Sequence, residues 1–557
     1  MTTMPGSEVA RRAGDAHTVV SDGLIQRLRP SDLAALPPVP VSTLEQVEVA
    51  VVRARIAHEE WRAKPFDDRV RVLRRLARGM LERRAELLAL LHDEIGKNEV
   101  EGLFSEAIGP LDALEAWVRI VRGARRTRVR LNPLGFPWKK AWHELVPRGV
   151  VGILAAWNYP FGGLFRSLWP ALLTGNGVVL KPSEYSPLSG AWFAEQLAAG
   201  LPPGLVGVVQ GDGTVGRALV EAGIDACAFT GSPATGEQVR MQCARLGIPC
   251  SAEMGGKDAA IVLADCDLER TAAGLTNWAL HNAGQSCGAL EIVYAERSIA
   301  DALVRRLAET WTRLRACPGD AGDSDVGPLA NRRQLAVVEQ HVQDAVERGA
   351  TVVCGGSRTG RGLYYRPTLL DHCTPDMRVV RDETFGPVLA IVRVDSGEEA
   401  VAHVNRARYG LGASIWTAHT TRARRLAQQL DVGVVNVNNH SITGALPAMP
   451  WSGTRATGYG VANSAWALLT FARPRAVFED RATDPEPFWM PFDRQLARLG
   501  HLLAEVQAGR LRGAWRLPAL LRRRVLVLRE SWAPSTPPGL PGRPSGVSPA
   551  ASPTTSS

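Results

Sequence analysis

IDACAFTGSPATGEQVRMQCARLG, residues Ile224–Gly247, holds three elements in one line. A short apolar run ends at Gly231-Ser232, and a helical pattern begins near Pro233 and continues to the next glycine. Strand, glycine turn and helix in this order make half of a parallel crossover unit. The same alternation extends outward. Upstream, GVVGILAAW and GNGVVLKP predict strands, LSGAWFAEQLAAG a helix, GLVGVVQG a strand and TVGRALVEAG a helix. A second alternating block follows Asp258 through TVVCGG, GPVLAIVRV, LGASIWTA and GVVNVN. The fold class expected is α/β with parallel sheets, and no internal repeat is visible.

The flanks differ in kind. Residues 1–40 are rich in Pro, Ala and Arg and are expected to be loosely ordered. Thr43 to Arg122 has helical spacing, whereas 127–147 has Pro and Gly breaks between short alternating runs, as in an extended arm. Nine arginines fall within residues 485–530, with leucines on alternating helical faces. That segment is expected to be helical, either packing as a simple extension or making peripheral membrane contact. Residues 531–557 are Pro/Ser-rich and expected to be disordered.

The 557 residues allow two or three domains with a full core, and 45% hydrophobic with 22% charged residues fits a soluble globular protein. Eight cysteines include no CxxC pair, and the eleven histidines never fall three to five residues apart. A disulfide framework is therefore excluded, no metal is expected, and a reducing compartment fits. The start of the chain has no apolar secretory core, so a cytoplasmic location is expected. The charge of +9 is concentrated near the C-terminus rather than spread over the body, so no nucleic-acid partner is expected.

Several short motifs carry chemistry. GDGTVG, Gly211–Gly216, follows a strand and precedes a helix as a dinucleotide fingerprint does, but no acidic residue follows at the required distance, and an ordinary tight turn explains it as well. Gly231-Ser232 offers backbone N–H groups at a helix start to an anion such as a pyrophosphate. Lys181 and Glu184 in KPSE sit at a strand end, where open parallel sheets bind ligands. Glu253 in SAEMGGK has only small neighbours on one side, which lets a general base approach a ligand. Cys287 in NAGQSCGALE stands apart from cysteines embedded in apolar strands. In such a turn nearby N–H dipoles are expected to lower its pKa and make it a nucleophile; the competing reading is a small packing residue.

In this order and spacing, PRGVVGILAAWNYPF, GNGVVLKPSE, FTGSPATG, AEMGGKD, NAGQSC and ETFGPVLAIV resemble the aldehyde dehydrogenase superfamily over roughly residues 40–480. The resemblance implies two Rossmann-like parallel-sheet domains and a β-arm for oligomerisation. It implies a cofactor domain over 41–126 and 148–256, a catalytic domain over 257–465, and an arm formed by 127–147 and 466–480. It implies Cys287 as nucleophile, Asn158 as oxyanion-hole donor and Glu253 as the base for hydrolysis. Trp157, Lys181, Glu184, Gly231, Ser232, Glu383 and Phe385 would hold NAD, with NADP as the other option. The resemblance also implies a small-molecule aldehyde as substrate and a homodimer or homotetramer as the assembly.

The sequence also departs from the family. Ile292 replaces the usual Arg five residues after the cysteine, Ser452 and its neighbours alter the late glycine-rich motif, and Ser167 stands where many members have Lys. Arg166, with Tyr159 beside the oxyanion turn, is expected in the substrate channel. It would anchor a substrate carboxylate, or else pair with a protein carboxylate or face solvent. The activity expected is non-acylating oxidation; the alternatives are an acylating, coenzyme A-dependent relative and an inactive member with a structural or membrane-associated role.

Overall fold

The computed structural model describes residues 18–131, 139–316 and 324–532. Its first sheet holds β1 (Val150–Leu154), β2 (Gly177–Lys181), β3 (Val206–Val208), β4 (Ala226–Thr230) and β5 (Cys250–Glu253). All five are parallel, in the spatial order β5–β4–β1–β2–β3. A short strand, Gly458–Tyr459, pairs antiparallel with β5 at the edge. The chain runs outward from β1 to β3 and then returns to the other side of β1. This reversal opens a crevice beyond the C-terminal ends of β1 and β4, where such sheets bind ligands. β1 and β2 are buried at every position, as strands covered on both faces must be.

Helices α1 (Leu44–Ala63), α2 (Phe66–Glu82), α3 (Arg84–Ile95) and α4 (Gly109–Ala124) precede the sheet. α1 starts at a capping box between Thr43 and Gln46, which satisfies two otherwise orphaned N–H groups. α5 (Gly162–Thr174), α6 (Pro187–Gly200), α7 (Gly213–Glu221) and α8 (Pro233–Arg245) follow β1 to β4 in turn. Leu73, Trp117, Phe165, Trp169 and Phe193 belong to the core shared by these helices and the sheet.

The second sheet holds β6 (Asp258–Val262), β7 (Leu290–Glu296), β8 (Thr351–Cys354), β9 (Thr368–Asp371), β10 (Val388–Val394), β11 (Gly412–Trp416) and β12 (Val434–Val437). Its order is β8–β9–β10–β7–β6–β11–β12, and only the β8–β9 pair is antiparallel. Along β7, Ile292 and Tyr294 enter one core while Val293 and Ala295 enter the other, the two-residue period of a strand buried on both faces. Ile292, the residue that departs from the usual arginine, is therefore a core side chain. β5 passes into β6 through Met254–Lys257, so Glu253 sits where the chain crosses from one sheet to the other.

The sequence expectations need three corrections. Residues 18–40 are built in: Thr18–Ser21 pairs antiparallel with Leu24–Arg27, Val39–Pro40 adds a third strand, and Ile25 is fully buried. Residues 1–17 lie outside the described part. Within 466–480, Leu468–Phe471 is a helical turn whose Leu468 and Phe471 join the core, and only Ala472–Asp480 is a strand. Ser531 and Trp532 close a helix, and the rest of the tail expected to be disordered, 533–557, lies outside the described residues.

The chain divides into two compact units: residues up to 127 with 143–475, and residues 128–142 with 476 onward. In the second unit, α9 (Arg494–Gln507) is capped by Asp493 and is followed by α10 (Leu517–Trp532). The Arg524 guanidinium, 1% exposed, donates to Asp493 (2.8 Å) and to the carbonyls of Pro487, Trp489 and Pro491. Lys139 pairs with Asp480 (2.7 Å) and Glu486. α9 buries only Leu499, and α10 only Arg524 and Leu528. Phe488, Trp489, Phe492, Trp515 and Trp532 are all more than half exposed. Among the described residues, no helix is long and apolar enough to cross a membrane.

Candidate active site

A cleft of about 1430 Å³ lies within the first unit, and every site residue expected from the sequence lines it. Trp157 and Asn158 follow β1, Lys181 ends β2 and Glu184 follows it, Gly231 and Ser232 follow β4, and Glu253 ends β5. Cys287, Glu383 and Phe385 come from the second sheet's loops, and Tyr159 and Arg166 from the start of α5 and the turn before it.

Cys287 follows an irregular turn in which Asn282 and Ala283 both adopt positive φ (54°). Non-glycine residues rarely hold that conformation without support. Here the Asn282 amide donates to the carbonyls of Asn158 (3.0 Å) and Gln285 (3.0 Å). The Asn158 amide in turn donates to the Gln285 carbonyl (3.1 Å). An amide carries two N–H groups, and this bond occupies one. The cysteine side chain packs against the Trp451, Leu411, Val434 and Ala462 cluster. Burial pushes its thiol up to about 12, with Glu253, Asp258 and Glu383 acting in the same sense and Arg166 opposing them. The expectation of a lowered pKa is thus reversed. Desolvation and three carboxylates outweigh the Arg166 cation.

Glu253 has a side chain 20% exposed, and burial raises its pKa while Arg166 draws it down. The Arg166 Nη1 lies 3.8 Å from Glu253 Oε2. Its Nη2 donates to the Gly444 carbonyl (3.0 Å), and its guanidinium stands over the Trp451 ring at 5.3 Å. Of the roles expected for Arg166, this geometry is the pairing with a protein carboxylate.

Asn158 rests on residues that the sequence reading missed. Lys97 and Glu106 form an ion pair (2.5 Å) with both side chains wholly buried. Lys97 Nζ donates to the Asn158 carbonyl (3.0 Å), and Glu106 accepts from the N–H groups of Phe161 (3.0 Å) and Gly162 (2.7 Å). Glu101 accepts from the Asn282 N–H (2.6 Å), and burial raises its carboxyl to about 7. The trace in the sequence is three glutamates, Glu99, Glu101 and Glu106, in the helical stretch EVEGLFSEAIG; Glu106 lies in a π-helical segment, Leu103–Ile108.

The other end of the cleft suits a dinucleotide. Ser232 caps α8, so the free N–H groups of that helix's first turn open toward the cleft. A Cβ on Gly231 would stand 2.5 Å from the Phe229 ring, so only glycine permits this close turn. Lys181 Nζ is buried, donates to the carbonyls of Pro182 and Gly211 (both 2.7 Å) and lies 3.7 Å from Glu184. It thereby ties KPSE to the GDGTVG turn, whose Asp212 caps α7. Across the cleft, Glu383 accepts from the Gly256 N–H (3.0 Å) and is raised by burial to about 8. The buried Lys257–Glu291 pair fixes this loop, because Glu291 accepts from the N–H groups of Thr384 (2.8 Å) and Phe385 (2.9 Å). Phe385 meets Trp157 edge to face at 5.5 Å.

The sequence model described as "Aldehyde dehydrogenase family" matches residues 19–477. The chain is 34% identical over 471 residues to the 4,4'-diapolycopene aldehyde oxidase of a Methylomonas species, covering 84% of this chain and 88% of that protein. It is 35% identical over 454 residues to a putative succinate-semialdehyde dehydrogenase [NADP(+)] of Mycolicibacterium smegmatis, covering 81% and 87%. Among solved structures, a Mycobacterium tuberculosis aldehyde dehydrogenase complexed with NAD+ superposes with a TM-score of 0.77 at 30% identity, covering 82% of this chain and 95% of that one. The chain belongs to the aldehyde dehydrogenase family of NAD(P)-dependent oxidoreductases.

Proposed function

We propose that this chain oxidises an aldehyde to its carboxylic acid through a thiohemiacetal and then a thioester on Cys287. The observation that carries the reading is the convergence of Cys287, Asn158 and Glu253 in one cleft that also holds a helix N-terminus suited to a pyrophosphate. NAD(P)+ bound there by Trp157, Lys181, Glu184, Gly231, Ser232, Glu383 and Phe385 supplies the hydride acceptor. Cys287 loses its thiol proton to solvent water, and the thiolate Sγ adds to the aldehyde carbon, whose C=O π electrons move to the oxygen. The Asn158 amide and the Cys287 backbone N–H hold the developing oxyanion. After oxidation, Glu253 takes a proton from water, and the hydroxide displaces the Cys287 thiolate from the thioester. Its raised pKa makes it a stronger base than an ordinary glutamate. A hydrolytic base in this position favours water over coenzyme A as the acyl acceptor.

The first sheet with its helices, 41–126 and 148–256, serves as the cofactor domain, and 257–465 presents the cysteine. The strands Lys139–Pro147 and Ala472–Asp480 serve as the arm that pairs subunits in a homodimer or homotetramer.

The substrate reading that fits best is an apolar aldehyde. Tyr159, Phe165, Trp278 and Trp451 line the cleft, while Arg166 already engages Glu253 and Gly444. The resemblance to an enzyme named for a polyene aldehyde is consistent with this. The aromatic and arginine-rich surface of α9 and α10 suits a peripheral lipid contact, where such a substrate resides. The test is NADH or NADPH formation on a panel of long-chain, aromatic and carboxylated aldehydes, with and without coenzyme A. Turnover without coenzyme A and a higher kcat/KM for the apolar members are expected; strict dependence on coenzyme A would overturn the hydrolytic reading.

A further inference from the structure

Three cysteines meet at the end of the first sheet opposite the cleft. Cys227 is the second residue of β4, and Cys250 opens β5 in register beside it. Cys243 lies in the last turn of α8, the helix that joins those two strands. The return loop turns at Gly247 (φ +67°). It is closed by hydrogen bonds from Ile248 N–H to the Cys243 carbonyl and from Cys227 N–H to the Pro249 carbonyl, both 2.9 Å. The three Sγ atoms all lie within 4.8 Å of one another. Cys227 and Cys243 are fully buried, while Cys250 is partly exposed.

Buried cysteines often serve only as small apolar filler. Filler does not require three sulfur atoms from three elements to point at one spot, and valine would fill the same core.

We propose that Cys227, Cys243 and Cys250 form a binding site for one thiophilic d10 cation, Zn(II) or Cu(I). Metal–sulfur bonds of about 2.3 Å place tetrahedral ligands about 3.8 Å apart, so the sulfurs need close by no more than roughly 1 Å. Thiolate-only donor sets select these ions over harder ones. The exposed side of Cys250 supplies the entrance, and for zinc a place for a water as fourth ligand. Binding releases the thiol protons to solvent, and neither metal nor sulfur changes oxidation state. The ion would clamp the starts of β4 and β5 to the end of α8. The far ends of these elements carry Ser232 and Glu253, so occupancy is expected to stiffen the pyrophosphate turn and the hydrolytic base together.

The experiment uses full-length protein carrying Cys287→Ser, so that the cleft thiol does not compete. Reduced, chelator-stripped protein is titrated with Zn(II) and, separately, with Cu(I), each against a chromophoric competitor. One ion per chain is expected in at least one arm, and the two arms identify which. Cys227→Ser, Cys243→Ser and Cys250→Ser should each weaken binding by more than roughly 100-fold, beyond what losing a mere outer-shell partner costs. Cys354→Ser and Cys373→Ser should not. If a buried variant fails to fold, mass spectrometry of the unsubstituted triad decides: bound metal should protect these three thiols from alkylation, and no others. Absence of stoichiometric binding in both arms, binding indifferent to the three substitutions, or a disulfide between two of the three in protein isolated without reductant would overturn the proposal.

Discussion

Arg166 Nη1 stands 3.8 Å from Glu253 Oε2, and the same guanidinium favours the Cys287 thiolate against Glu253, Asp258 and Glu383. One cation thus sets the balance of both reacting groups. Removing it leaves the thiol with burial and carboxylates alone. Arg166→Ala should therefore raise the Cys287 pKa further, and less thiolate means slower alkylation at any given pH. Glu253→Gln removes a negative neighbour and should shift the profile the other way. Iodoacetamide rates against pH measure both. In the wild type the rate should still be climbing at pH 9, since the thiol lies near 12. Shifts of the same sign in both variants would contradict this electrostatic picture.

Cys287→Ala should abolish aldehyde oxidation while NAD still quenches tryptophan fluorescence, because the thiol carries the carbon and not the cofactor. Glu253→Gln should behave differently. Its first turnover should release close to one NADH per active site, after which turnover slows roughly 10²–10⁴-fold, the usual contribution of a general base. Stopped-flow absorbance separates the two phases. Loss of the burst in Glu253→Gln would place that carboxylate before hydride transfer.

The alternating strands and helices were legible because the central apolar runs between Gly and Pro breaks are buried on both faces, as β1 and β7 are. The cleft residues were legible as local motifs at strand ends. Three things were not. The raised Cys287 pKa comes first from burial and then from Glu253, Asp258 and Glu383, a setting that exists only once the chain has packed. Lys97 and Glu106 sit in a stretch with no motif, and what matters is their contact with a loop some sixty residues on. Cys227, Cys243 and Cys250 have none of the short spacings of a metal motif, since strand, helix and strand must intervene before they meet. In each case the information lies in a long-range contact, which spacing along the chain does not carry.

The Lys97–Glu106 pair gives a prediction at one remove from the chemistry. Lys97→Met keeps the length of the side chain but leaves Glu106 buried without its cation. Breaking such a pair costs about 3–5 kcal/mol. A lower denaturation midpoint is expected, and because Lys97 also holds the Asn158 carbonyl, kcat should fall more than KM rises. The double variant Lys97→Met, Glu106→Gln should recover part of the stability. If it recovers none, the buried charge is not the cause.

Cofactor choice follows from Glu184. Its carboxylate lies 3.7 Å from Lys181 at the end of β2, where it can accept from ribose hydroxyls. A 2′-phosphate there would meet like charge, partly offset by Lys181. NAD should therefore have the higher kcat/KM. Glu184→Ser should move the ratio toward NADP by about tenfold, equivalent to about 1.4 kcal/mol. A wild-type preference for NADP would show that Lys181 outweighs the carboxylate.

The second unit yields the last prediction. Its helices bury three side chains between them, while Phe492, Leu511 and Trp515 are 70%, 68% and 77% exposed. Arg494, Arg498, Arg512, Arg522 and Arg523 belong to the same stretch. The simple-extension reading leaves such rings to be covered by another protein surface. Bare aromatic side chains among arginines instead suit the headgroup layer of an anionic bilayer, where rings enter the interface and guanidinium groups meet phosphates. The protein should co-sediment with vesicles containing phosphatidylserine, and less so with neutral ones or at high salt. Phe492→Ser, Leu511→Ser and Trp515→Ser combined should weaken this binding and leave turnover of a small water-soluble aldehyde unchanged, because none of the three lines the cleft. If the substituted surface stays on lipid as firmly as the wild type, or if the wild type never sediments, the exposed rings serve some contact other than a membrane.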